Sequence, residues 1–153
     1  MLTLENGEIF ANGATIYEFR SVTPDEEQNK RIILPVSIDG LLSMAVIDTG
    51  APYLIIDPVT TERLGLVDEV ALERTEIRIR GVKYSGKLFR LDVQLNAVEG
   101  ENLGFQATAF VPDPGQEDKW GELPSFLGIE HCLERVRFAI DPGQYKFHFG
   151  ALP

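Results

Sequence analysis

The residues best placed to do chemistry are Val46-Ile47-Asp48-Thr49-Gly50-Ala51. Two apolar residues deliver a carboxylate, and a hydroxyl residue comes next. Gly50 then lets the backbone turn tightly and aim N–H groups at the carboxylate. A carboxylate held in this way can take a proton from water or, once protonated, give one to a carbonyl. Asp-Thr-Gly also occurs in ordinary turns, so the flanking sequence must decide between the two uses.

Other reactive side chains are few. His131 and His148 are the two histidines and Cys132 is the one cysteine. None has a metal-ligand spacing such as His-x-x-x-His, so no metal is expected. His131 and Cys132 are adjacent, and neighbours on a helix do not face one another, which argues against a Cys–His nucleophilic pair. No glycine-rich phosphate loop is present, and no cofactor is expected. Trp120 sits in a polar loop, where it would pack locally, cover apolar surface or meet a partner.

The elements that must position Asp48 read as strands and turns. Residues 31–38 and 41–47 are apolar runs joined by Asp39-Gly40, a hairpin that ends on Asp48. Residues 53–56 form a short apolar run. Residues 57–66 read as a short helix with Asp57 as N-cap, Pro58 as first residue and Gly65 as stop. Residues 76–80 alternate as a half-exposed strand. Residues 81–86 read as a hairpin tip, 87–95 as the returning strand and 105–111 as a further strand. A long surface loop covers 112–124. Ser125 is placed to cap the segment after it, and residues 130–135 suit a short helix. The final strands, 136–140 and 145–149, flank Asp141-Pro142-Gly143-Gln144, which reads as a type II turn. Near the start, residues 7–17 look like a hairpin about Asn12-Gly13, and residues 21–30 look like a polar loop.

The chain has 153 residues, enough for one domain with a real core at 44% hydrophobic content. We therefore read residues 1–153 as a single all-β domain, with 1–30 an N-terminal extension and 31–150 the core. The formal charge of −10 leaves no basic patch for a phosphate backbone, which argues against nucleic-acid binding. A lone cysteine fits a reducing compartment. Residues 1–5 lack the basic start and apolar run of a signal peptide, and no stretch approaches a membrane span. A cytoplasmic protein without membrane attachment is the expectation.

The pattern at Asp48 resembles the active-site segment of the retropepsin-like aspartic proteases, a family with retroviral and bacterial members. The downstream Phe126-Leu127-Gly128, with a short helix and a final hairpin after it, is similar to that family's closing segment. The resemblance covers roughly residues 31–150. It implies a closed acid-protease barrel with one or two short helices. It also implies peptide-bond hydrolysis by water between two aspartates. Two close carboxylates cannot both ionise, so the pair shares one proton and serves as base and acid together. This chain has one such segment, because Asp141-Pro142-Gly143 lacks the hydroxyl residue. The dyad would therefore need a homodimer, with Asp48 near the two-fold axis.

The same resemblance makes Asp48 catalytic and gives Thr49, Gly50 and Ala51 the active-site loop. Phe126, Leu127 and Gly128 would support it. Gly81, Val82, Lys83, Tyr84, Ser85 and Gly86 would form a flap over a peptide or protein substrate. The last strand, 145–149, would build the dimer sheet. Ala51 supplies no hydroxyl beside the dyad, which points to a mildly acidic working range. A non-catalytic peptide-binding or regulatory dimer on the same fold is the competing reading.

Overall fold

The computed structural model describes residues 1–23 and 29–153. The polar loop expected at 21–30 falls mainly on residues 24–28, which lie outside the described residues. In chain order the strands and helices are β1 (Leu2–Thr3), β2 (Ile9–Ala11), β3 (Gly13–Ile16), β4 (Glu18–Ser21), β5 (Lys30–Ile38), β6 (Leu41–Ile47), β7 (Leu54–Ile55), α1 (Pro58–Leu64), β8 (Glu73–Ile79), β9 (Val82–Leu95), β10 (Glu99–Gly100), β11 (Leu103–Pro112), α2 (Glu117–Trp120), β12 (Ser125–Leu127), β13 (Val136–Asp141) and β14 (Lys146–Ala151).

The larger sheet runs β4-β5-β6-β12-β7-β11-β9-β8. Strand β5 also pairs with β9, through Val36↔Leu95 to Ile38↔Val93, so the sheet closes upon itself. This is the all-β architecture expected from the sequence. A second sheet runs β10-β3-β14-β13, and β1 pairs with β2. Among the described residues, no helix is long and apolar enough to cross a membrane.

Period-two alternation sorts the closed sheet into two cores. Ile33, Val46, Ile55 and Phe126 point into one cluster, together with Tyr84, Leu88, Phe110 and Trp120. Their chain neighbours Leu34, Ala45, Leu54 and Leu127 point into the other, which also takes Phe147 and Phe149 of the second sheet. A one-residue slip in β12 would exchange Phe126 and Leu127 between the two cores, so packing fixes its register.

Several local expectations hold. Asp39 and Gly40 both have positive φ, as a two-residue hairpin turn requires. In α1 the Asp57 carboxylate accepts from Thr60 N at 2.9 Å, and Gly65 closes the helix in the left-handed region.

Others do not hold, for reasons of packing. Strands β2 and β3 are not a hairpin: β2 pairs with β1, and β3 lies between β10 and β14. Gly13 is there for close approach, since a Cβ would lie 2.2 Å from the Glu101 carbonyl and 2.5 Å from the Phe149 ring. Within residues 1–23, β3 and β4 pair into the two larger sheets. The turn at 141–144 is not type II, because Gly143 does not have positive φ and Tyr145 does. The Asp141 carboxylate instead accepts from Gly143 N and Gln144 N. The expected helix at 130–135 is only a 3-10 turn, Leu133–Arg135. Strand β14 is hydrogen-bonded on both sides, by β3 and by β13, so it has no free edge with which to build a dimer sheet.

Candidate active site

Strand β12 lies between β6 and β7, although β6 and β7 are consecutive in the chain. It pairs parallel to β6, with Leu127↔Ile47, and antiparallel to β7, with Leu127↔Leu54. The loop joining β6 to β7 must therefore pass over the end of β12, and Asp48 sits on that loop.

Backbone groups clamp the loop there. Asp48 N donates to the Leu127 carbonyl at 3.0 Å, Gly128 N to the Tyr53 carbonyl at 2.8 Å, and Ile129 N to the Ala51 carbonyl at 2.9 Å. Gly128 is required for closeness: a Cβ would lie 2.2 Å from the Tyr53 carbonyl oxygen and 2.6 Å from that of Ala51. Gly50 N donates to Asp48 Oδ1 at 3.0 Å, and Ala51 N donates to the Asp48 carbonyl at 3.1 Å. Asp48 is half-buried, with Oδ1 held by its own loop and Oδ2 unbonded among the described residues. Thr49 is exposed, and its hydroxyl has no partner among them.

The other end of β12 is held by side chains. Ser125 Oγ accepts from Asp57 N at 3.0 Å and donates to Asp57 Oδ2 at 2.7 Å. Thr60 Oγ1 donates to the same oxygen at 2.7 Å. Ser125 is therefore not the cap of the segment after it. It is a fully buried strand residue that ties β12 to the N-cap of α1.

A cavity of about 290 Å³ opens beside Asp48. Gly50, Ala51, Pro52, Ile55 and Phe126 line it together with Arg31 and with Arg78, Ile79 and Arg80 of the β8–β9 hairpin. The structure thus brings Asp48, Gly50, Ala51 and Phe126 together. Leu127 and Gly128 act from behind, one in the core and one in the backbone clamp.

The hairpin β8–β9 reaches this cavity with a different tip from the one expected. The turn is Arg80-Gly81, both with positive φ, closed by the Ile79↔Val82 pair. Val82, Lys83, Tyr84, Ser85 and Gly86 are strand residues. Tyr84 is buried, stacks edge-on to Trp120 with ring centroids 5.1 Å apart, and donates its hydroxyl to the Lys119 carbonyl at 2.8 Å. Ser85 N donates to Gln116 Oε1 at 3.0 Å. Gly86 admits Phe110, whose ring would lie 2.7 Å from a Cβ at that position. The 112–124 loop, including Trp120, therefore braces this arm. Sequence reasoning missed Arg31, Arg78 and Arg80. The signal was present in Arg78 and Arg80, two residues apart on a strand running into a turn.

Among the described residues, no group of three or more His, Cys, Asp or Glu side chains is placed to hold a metal. Burial pushes the Cys132 thiol up to about 12, so it is not a thiolate near neutral pH. His131 is exposed and lies near Glu134 and Arg135.

No family model matches the chain, and no curated protein matches it in sequence. Solved structures do match. A retropepsin-like aspartic protease from Rickettsia conorii aligns at 17% identity over 90% of this chain and 89% of that chain, with a TM-score of 0.56. The chain has the retropepsin-like fold. The retroviral protease-like domain of Ddi1 from Leishmania major aligns at 20% identity over 80% of this chain and 94% of that one, with a TM-score of 0.47. Within the retropepsin-like fold, the Asp48 loop and the β8–β9 hairpin tip border one cavity.

Proposed function

We propose that this protein is an aspartic endopeptidase that works as a homodimer, with Asp48 of each copy forming the dyad. The observation that carries the reading is the Asp48 carboxylate itself. It stands on a backbone-clamped loop with one oxygen held by Gly50 and the other unbonded among the described residues, and it lines a cavity that the β8–β9 hairpin tip also lines. In the proposed reaction one Asp48 is ionised and takes a proton from water as the oxygen attacks the peptide carbonyl carbon. The Asp48 of the second copy is protonated and gives its proton to the carbonyl oxygen. The diol then collapses: one diol hydroxyl returns its proton to the second Asp48, the C–N bond breaks, and the proton taken from water passes from the first Asp48 to the leaving nitrogen. Thr49 is left to bond across the dimer, and Arg80-Gly81 is the flap tip. No cofactor enters the reaction.

Because β14 has no free edge, the two copies would meet through other surfaces. We place the protein in the cytoplasm, a setting that suits one unpaired cysteine. Ala51 offers no donor that would favour ionisation of the dyad, so activity is expected in a mildly acidic range. A maximum near pH 2 would contradict that part of the reading.

The test is cleavage of a mixed peptide library from pH 4 to 7 by wild type and by Asp48→Asn, at concentrations that favour a dimer. The reading expects cuts by wild type and a loss of at least about a thousandfold in the variant. Equal cutting by both would overturn it. A wild-type dimer that binds peptides without cutting them would favour the peptide-binding reading.

A further inference from the structure

Among the described residues, the ionisable groups lining the Asp48 cavity are three guanidinium groups and one carboxylate, in a chain whose net charge is −10. Arg80 has an interaction of its own, so the argument rests on Arg31 and Arg78.

Both are exposed, and among the described residues neither makes an ion pair. Their hydrogen bonds go to backbone carbonyls, from Arg31 to Lys30 at 3.3 Å and from Arg78 to Gly81 at 3.4 Å. The reason is visible in the strand register. Arg31 lies opposite Arg20, and Arg20 takes the nearby Glu18 carboxylate. Arg78 lies opposite Lys83, and Lys83 takes Glu76 at 2.9 Å. Each site arginine thus faces another cation across the strands, and the local carboxylate is bound to that neighbour. Like charges directly opposite one another destabilise a sheet. Two such pairs at one cavity leave two guanidinium groups whose forked donors meet no carboxylate among the described residues.

We propose that the Asp48 cavity selects peptide segments bearing an acidic side chain beside the residue seated over Asp48, with Arg31 and Arg78 as the specificity-determining cations. The inference rests on the reading of this cavity as a peptide site, and it names the substrate class that the site would take. The side chain recognised is a carboxylate, aspartate or glutamate, on an extended backbone.

The experiment uses peptide pairs that differ only by Glu or Gln at positions flanking the centre. Cleavage is measured with the wild-type protein. Binding is measured by fluorescence anisotropy with Asp48→Asn, which holds peptide without turnover. The expected result is at least a roughly fivefold advantage for the Glu peptide at low salt, shrinking as ionic strength rises. The advantage should vanish in the Arg31→Gln/Arg78→Gln double variant. It should reverse toward Lys peptides in Arg31→Glu/Arg78→Glu. Both sites are exposed, so these variants should fold, and unchanged thermal unfolding would verify that they do. Cleavage without a Glu preference, or a preference that survives the double variant, would overturn the inference and leave the endopeptidase reading standing. A Glu preference in binding with no cleavage by wild type would remove the endopeptidase and keep the inference. Absence of both cleavage and binding would overturn the two together.

Discussion

Two clefts of opposite character lie on this domain. The smaller, about 290 Å³, is lined by Asp48 and three arginines. The larger, about 680 Å³, lies between α1 and the 112–124 loop and is lined by Asp57, Glu62, Asp113, Glu117 and Glu122, with no lysine or arginine. Size favours the second as a ligand site, yet the chemistry favours the first. In the larger cleft Asp57 is consumed by capping α1 and holding Ser125, and Asp113 is paired with Arg74. In the smaller one Asp48 keeps an unbonded oxygen. Both clefts depend on β12, and they depend on it differently. Its Leu127–Gly128 end holds the Asp48 loop by backbone bonds, and its Ser125 end holds α1 by side-chain bonds.

The backbone end should be the less forgiving of the two. Gly128→Ala drives a methyl group into three carbonyl oxygens, all nearer than 3.0 Å. None belongs to a flexible side chain, so the Asp48 loop itself must move. Such overpacking costs about 3 kcal/mol, and thermal unfolding should fall by roughly 6–12 °C in a domain of this length. Cleavage should be lost along with it. A normal melting temperature would mean that the clamp is looser than its hydrogen bonds imply.

The side-chain end should give a smaller, purely structural effect. Asp57→Ala removes the acceptor for Thr60 N, Thr60 Oγ1 and Ser125 Oγ. Ser125 is fully buried and Thr60 nearly so, so their hydroxyls lose a partner where water does not easily replace it. The expected loss is about 2 kcal/mol, read as a lower denaturation midpoint with an unchanged slope. Activity per folded molecule should persist, because the Asp48 loop is not bonded to Asp57. A loss of activity without a loss of stability would show that the two ends of β12 are coupled.

This division also explains which features were legible in the sequence. The Asp39-Gly40 hairpin and the Asp57-Pro58…Gly65 helix are specified by residues adjacent in the chain, and each was readable; the Asp48 loop was readable from its own motif, although distant β12 holds it in place. So were Asp48, Gly50, Ala51 and Phe126 as neighbours, through the resemblance. The features that were not readable depend on distant partners. Asn12-Gly13 carries a strong local hairpin signal, but the absence of a Cβ at Gly13 serves Phe149 and Glu101 instead. Gly86 looked like part of a turn and is a mid-strand seat for Phe110. Arg31 and Arg78 are 47 residues apart, and only the closed sheet sets them around one cavity.

The weakest expected effect tests the comparison most directly. Glu62 and Glu122 line the larger cleft and are exposed, and neither is ion-paired among the described residues. Each contributes charge to that cleft without holding any element in place. If the larger cleft is only acidic surface, Glu62→Gln/Glu122→Gln should leave cleavage within about twofold and stability within roughly 0.5 kcal/mol of wild type. The salt dependence of cleavage should also stay the same, because its proposed source, Arg31 and Arg78, lies on the other cleft. If the double variant instead loses cleavage of long substrates and keeps that of short ones, the larger cleft holds a remote part of the chain being cut. The acidic groove and the basic cavity would then be two stretches of one binding surface, reading opposite charges along the same peptide.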